Sequence, residues 1–308
     1  MKRRQILQYA QAGLFGTLGL GLASALQPWQ AVELPAVNQP NTNTPDPNLL
    51  TNSLKITWLG HTCFYFTGDN LRLLVNPFQP LGCTAGYPAP TADPELILVS
   101  SRLLDEGVVE GFTGDPPPSL LYEPGNYKFN ERQIQGFNTK KDREGGRRFG
   151  TNVAWMWQQA GIKILHMGSL ASPLGIEERI LIGRPDILFL PVGGGVKSYT
   201  AKEAQEAIAL LKPKLVIPTH YRTSAADANS CDLSGIEEFL QLFDSSAVKM
   251  INGNSLTLTP ADLPISGTQV QVFNYNFASP NPLPQTGPNP KFPAVNTPSL
   301  PSLPNPAP

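Results

Sequence analysis

Histidine is scarce in this chain: three residues, His61, His166 and His220, in 308. Charge is scarce too, at 15% Asp, Glu, Lys and Arg, where globular domains carry about a quarter. Basic charge is not in excess: the formal net charge is −1 and the isoelectric point is near 6.3. That balance excludes nucleic acid as the main partner, because phosphate binding needs a positive surface. Cysteine is limited to three residues, an odd number that rules out a fully paired disulfide framework. Cys63 lies inside a strand pattern and reads as a buried thiol, whereas Cys83 and Cys231 stand in loops where an oxidising compartment would let them pair. Beyond residue 26 no apolar run is long enough to cross a bilayer.

Proline is abundant, at 32 residues, and unevenly spread. Residues 26–53 read as a Pro/Asn/Thr-rich linker. Residues 263–308 read as a C-terminal extension, Pro-rich and without enough apolar surface to order itself from about 278 onward. A spacer role and a partner-binding role both remain open for that tail. The N-terminus begins Met1-Lys2-Arg3-Arg4-Gln5-Ile6-Leu7, continues into a weakly apolar Gly/Ala-rich stretch, and reaches Ala23-Ser24-Ala25, a small-x-small cleavage pattern. Residues 1–25 therefore read as an export signal whose Arg-Arg-x-Ile-Leu resembles a twin-arginine signal. A general secretory signal or an uncleaved anchor are the alternatives, and an uncleaved signal is the only expected membrane contact. The periplasm or another extracytoplasmic space is the expected destination.

Between these ends, residues 54–262 alternate strand-like and helix-like patterns. Strands are expected at 55–66, 72–75, 96–100, 119–123, 152–157, 162–166, 186–190, 214–218 and 255–259. Thr151–Trp157 is apolar nearly throughout, as in a strand buried on both faces. Helices are expected at 105–112, 174–182, 200–211 and 235–243. The third has a capping box, Thr200 with Glu203 three residues on, and an apolar face of Ala204, Ala207, Ile208 and Leu211. Strands followed by alternating strands and helices imply an α/β (α+β) domain with two sheets and helices outside them.

Each histidine follows an apolar run at the point where a strand gives way to a loop, in Gly60-His61-Thr62-Cys63-Phe64, His166-Met167-Gly168-Ser169 and Ile217-Pro218-Thr219-His220-Tyr221. Strand ends are where α/β proteins place chemistry. Ile97-Leu98-Val99-Ser100-Ser101-Arg102-Leu103-Leu104-Asp105-Glu106 has the same form without histidine. Together with Leu74-Val75-Asn76-Pro77-Phe78 and Phe189-Leu190-Pro191-Val192-Gly193-Gly194-Gly195, these segments in this order resemble the metallo-β-lactamase fold, in the branch of sugar-phosphate lactonases and N-acylphosphatidylethanolamine phospholipases. The resemblance covers about residues 54–259. It implies a four-layer αβ/βα sandwich with a site for one or two metal ions, often zinc, at one edge.

Carried over residue by residue, the family's ligand pattern is incomplete. Ser101 and Leu103 stand where two histidines of a His-x-His-x-Asp-His loop are expected. Asp105 matches, Glu106 replaces the last histidine, His166 and His220 match, and Ser169 replaces a bridging aspartate. His61 matches a position that is not a usual ligand, and Asn76 departs from an aspartate. The expectation is a largely dismantled dinuclear site: no first metal, and at most one residual ion (zinc, manganese or iron) held by Asp105, Glu106 and His220. The bland alternative gives Asp105 and Glu106 to the N-terminus of a following helix. Asp105, His166 and His220 are the catalytic candidates, as acid/base groups or as satisfied polar groups without chemistry. His61, Ser101, Leu103, Ser169 and Tyr221 are expected to shape the site. Gly193–Gly195 could bring backbone close to a ligand or form a plain turn, and Arg143, Arg147 and Arg148 could meet an anion or face solvent. Three functions follow: a pseudo-hydrolase that binds a small molecule or protein in the old cleft, a hydrolase of an ester, lactone or phosphodiester with one metal, or a structural envelope protein.

Overall fold

The computed structural model describes residues 32–33 and 53–275. The expected export signal, most of the linker and the Pro-rich tail from 278 lie outside the described residues. In chain order the strands are β1 (Val32–Glu33), β2 (Leu54–Gly60), β3 (Cys63–Gly68), β4 (Leu71–Val75), β5 (Leu96–Leu98), β6 (Ser119–Leu121), β7 (Gly125–Phe129), β8 (Arg132–Lys140), β9 (Thr151–Gln159), β10 (Ile162–His166), β11 (Ile187–Pro191), β12 (Leu215–Thr219), β13 (Val248–Met250), β14 (Ser255–Leu258) and β15 (Gln269–Val272). The α-helices are α1 (Ile176–Ile182), α2 (Ala201–Leu211) and α3 (Glu237–Leu240).

Two sheets form, one ordered β14-β2-β3-β4-β5-β6 and one ordered β1-β7-β8-β9-β10-β11-β12-β15-β13. Period-two alternation orients the first: Leu54, Ile56 and Trp58 of β2 are buried while Lys55 and Thr57 face outward. The sheets meet through aromatic rings, with Phe66 of β3 at 4.9 Å from Trp157 of β9 and Phe64 at 4.7 Å from Phe189 of β11. Offset edge-to-face contacts of this kind add to the burial of large apolar rings. Strand β9 is buried on both faces from Asn152 to Trp157, as its unbroken apolar run required.

Strands β10, β11 and β12 pair in parallel, so each connection crosses over, with α1 and α2 as the crossover helices. The helix α2 starts at its capping box, where Thr200 Oγ1 accepts from the Glu203 backbone N–H and Glu203 accepts from that of Thr200. It buries Ala204, Ala207, Ile208 and Leu211 and ends at Lys212 in a left-handed conformation, because Pro213 cannot continue it.

Several expectations differ from the structure. The 55–66 run is two strands with a turn at His61–Thr62. The hairpin β7–β8 was hidden by polar residues and by an Asn130-Glu131 turn with both φ positive, which lacks the usual glycine signal. The strand β15 lies beyond residue 262 yet sits between β12 and β13, so the packed sheet extends past the expected domain end. Expected helix 235–243 shrinks to α3 and flanking turns. No helix forms at 105–112; Gly107 approaches the Ser101 carbonyl so closely that an added Cβ would lie 2.4 Å from it, and the carboxylates of Asp105 and Glu106 are engaged elsewhere in the fold. Cys83 and Cys231 form a disulfide, and Cys63 is a buried free thiol.

Candidate metal centre

The site is built at the carboxyl ends of strands from both sheets. His61 follows β2 and His220 follows β12, and both adopt left-handed backbone, with φ 53° and 51°. Such conformations are uncommon outside glycine and persist where the surroundings enforce them. Around His61 the enforcement is visible: the Trp58 indole N–H donates to its carbonyl at 3.1 Å, and preceding Gly60 leaves room for the Tyr87 ring, which an added Cβ would meet at 2.5 Å. Around His220, the Gly193 N–H donates to its carbonyl at 3.1 Å. A Cβ on Gly193 would lie 2.3 Å from that oxygen, so the Gly193–Gly195 segment lets backbone approach backbone at the site rather than forming an isolated turn.

These constraints bring the His61 and His220 rings to 4.5 Å, edge to face at 78°. Asp105 joins them from the loop after β5: one donor atom each from His61, Asp105 and His220 lies within 4.8 Å of the others. That set differs in one member from the sequence expectation of Asp105, Glu106 and His220, because His61 stands in for Glu106. His61 Nε2, both His220 ring nitrogens and Asp105 Oδ1 are buried without a hydrogen-bond partner among the described residues. Burial drives the His61 pKa down to about 4 against the opposing pull of Asp105. Burial likewise holds His220 well below its ordinary value, with His61 and Lys197 adding to it. Both imidazoles are therefore neutral and offer lone pairs. Burial acts to raise the Asp105 pKa, but Lys141 and Lys197 together outweigh it and keep the carboxyl well below the usual range. Its Oδ2 accepts from Lys197 Nζ at 2.5 Å, which leaves Oδ1 without a partner among the described residues. Two neutral imidazoles and an ionised carboxylate fit a divalent cation such as zinc or iron(II), in the three-ligand form that keeps a position open for chemistry.

Glu106 is turned to a second cluster. Fully buried Lys141 bonds its Oε2 and Ser169 Oγ. The Ser169 hydroxyl donates to the same Oε2 at 2.7 Å, and Asn76 Nδ2 lies 3.5 Å from Oε1. Neither Asp105 nor Glu106 caps a helix, since none follows them. His166 is also buried: its Nδ1 accepts from the Gly168 N–H at 3.1 Å, its ring stacks on Phe189 at 5.3 Å, and its Nε2 has no hydrogen-bond partner among the described residues; it lies outside the group formed by His61, Asp105 and His220. Ser101 Oγ accepts from the Leu103 N–H at 3.2 Å and Leu103 O from the Glu106 and Gly107 N–H groups, so these two residues shape the turn that presents Asp105. Buried Tyr221 packs on Trp58 behind His220. Arg143 pairs with Glu203, while Arg147 and Arg148 are exposed on a loop whose backbone N–H groups converge on the Asp142 carboxylate. Sequence reading missed Lys141 and Lys197; neither lies in a motif, and each reaches its acidic partner only through the fold.

The β-lactamase superfamily domain matches residues 55–220, and the chain belongs to the metallo-β-lactamase superfamily. It is similar to a UPF0173 metal-dependent hydrolase of Pyrococcus furiosus, 30% identical over 240 residues that cover 67% of this chain and all of that one. A UPF0173 metal-dependent hydrolase of Methanoregula boonei is 30% identical over 204 residues, covering 57% and 87% of the two chains. Among solved structures, a metallo-β-lactamase superfamily protein of Thermotoga maritima aligns with a TM-score of 0.58 and 30% identity, over 72% of this chain and 100% of that one.

Proposed function

We propose that this protein is a metal-dependent hydrolase of an ester, lactone or phosphodiester that works with one ion held by His61, Asp105 and His220. The observation that carries this is the convergence of buried candidate ligand atoms without a hydrogen-bond partner among the described residues. Buried polar atoms are nearly always hydrogen-bonded, and imidazole and carboxylate donors left bare together are costly unless a cation engages them. The pseudo-hydrolase expectation rested on Ser101 and Leu103 having replaced two imidazoles. His61, at the end of β2 in the same sheet as that loop, adds an imidazole that the loop does not supply. The relatives named metal-dependent hydrolases support the same reading.

When bound, a divalent cation would supply Lewis acidity, polarising a carbonyl or phosphoryl oxygen and acidifying water. The chain's own groups set the conditions for that chemistry. Burial keeps His61 and His220 unprotonated. Lys141 and Lys197 together hold Asp105 ionised, and Lys197, bonded to its Oδ2, orients it, as groups behind metal ligands commonly do. The Lys197 ammonium also lies 5.8 Å from the Phe149 ring, which places an aromatic face and a positive charge beside the centre.

The test is elemental analysis of the purified chain together with turnover of an aryl ester, a lactone and an aryl phosphodiester. About one ion per chain is expected, lost in His61→Ala and His220→Ala together with turnover. Substoichiometric metal that neither substitution changes would end the reading. We also propose an extracytoplasmic location, supported by the N-terminal motif and by a disulfide of the kind that persists in oxidising compartments; cell fractionation that recovers the chain in the cytosol with both thiols reduced would reject it.

A further inference from the structure

The second cluster is as carefully built as the first, and it already contains a cation. Lys141 and Glu106 are completely buried, and so is Ser169. The ammonium bonds Glu106 Oε2 and Ser169 Oγ. Ser169 closes the triangle by donating to Glu106. Asn76 braces the other carboxylate oxygen; it sits in left-handed backbone, and its Oδ1 accepts from the Ser100 N–H at 2.8 Å. Asp105 and Glu106 are consecutive, so neighbouring carboxylates serve neighbouring cation positions: Asp105 faces His61 and His220, Glu106 faces Lys141 and Ser169. Glu106, which the ammonium bonds, directly follows Asp105 in the chain, so the ammonium sits one residue away from the carboxylate of the metal centre. A lysine ammonium is a compact point charge with three donors, and the carboxylate and hydroxyl oxygens it bonds are hard donors of the kind manganese or magnesium favours.

We infer that Lys141 is a built-in cation occupying the Glu106–Ser169 position, so that the centre takes a single divalent ion beside it and removal of the ammonium opens a second ion site. The inference rests on the reading of His61, Asp105 and His220 as a metal centre. It explains why a buried carboxylate stands next to a ligand in sequence without joining the ligand set. It also assigns Lys141 a role toward the ion: a fixed positive charge limits the number of ions bound and raises the electrophilic character of the site at no cost in metal.

The experiment is ion counting on the full chain, stripped with chelator, loaded with Mn²⁺ or Zn²⁺ and dialysed. Wild type should hold one ion, Lys141→Gln two, and Lys141→Gln/Glu106→Gln one again. Two ions in wild type, or one in Lys141→Gln, overturns the inference while leaving the metal centre intact. No ion in wild type overturns the metal-centre reading and this inference with it. If Lys141→Gln is unfolded after stripping, its thermal midpoint under added Mn²⁺ decides, because an ion that binds only the folded state raises it. Refolding by Mn²⁺ that is lost again in the double variant supports the second site, and no response to Mn²⁺ rejects it.

Discussion

Two polar clusters stand next to each other at this edge of the fold and meet burial in opposite ways. In one, Lys141, Glu106 and Ser169 satisfy one another, so the charges are paired inside the protein. In the other, His61, Asp105 and His220 gather donor atoms with no partner among the described residues. The first arrangement ties the loop after β5 to Lys141 and Ser169; the second leaves candidate ligand atoms without hydrogen bonds among the described residues. The contrast teaches that a buried carboxylate beside a candidate metal centre need not join it: Glu106 is committed to an ammonium, while Asp105, one residue earlier, gives one oxygen to Lys197 and keeps the other without a partner among the described residues.

The contrast can be broken first at Glu106. Glu106→Ala leaves Lys141 buried without a counter-charge and should cost about 3–5 kcal/mol, read as a lower urea midpoint; Glu106→Ala/Lys141→Met should recover most of it, and equal losses in single and double variants would show that the pair is not the cause. His220→Ala should affect the other cluster without that penalty. Ion content and turnover should fall by more than the roughly 10–100-fold typical of groups behind a ligand, with the urea midpoint of the stripped protein nearly unchanged. Lys197→Met removes the group that orients Asp105, and should weaken metal affinity by about 10–100-fold, measured by competition with a chelating dye; an unchanged affinity would remove Lys197 from the centre.

The smallest effect tests His166, which lies outside the donor group of His61, Asp105 and His220. Burial lowers its pKa to about 3, so between pH 6.5 and 5 the unfolded chain takes up a proton that the folded chain refuses. Stability therefore falls as pH drops, and by pH 5 the loss attributable to His166 should reach about 2 kcal/mol. The difference between wild type and His166→Asn in chemical unfolding at the two pH values checks this; an identical pH dependence would mean that His166 is not buried neutral.

Much of the fold was legible. Apolar runs placed most strands of the first sheet and the β10-α1-β11-α2-β12 unit, and the Thr200–Glu203 pair marked a helix start to within a residue. The hairpin β7–β8 was not legible, because its alternation is polar and its turn carries no glycine. The 105–112 helix was wrongly expected because local propensity says nothing about lysines at 141 and 197 that claim the two carboxylates. Of the site, His220 and Asp105 could be found by their place at strand ends and by family pattern. His61 was visible as a site-shaping residue, but its place among the donor atoms was not.

Read alone, the chain determined its strand and helix periodicity, its breaks at proline and glycine, and its membership of a fold that puts chemistry at strand ends. These properties arise from sterics and burial acting between near neighbours, so they are written in local pattern. Only the tertiary structure decided which carboxylate meets which cation and which histidines share a centre. Residues 61, 105 and 220 are joined by two sheets closing on each other, and the desolvation that leaves their lone pairs bare exists only once that closure has occurred.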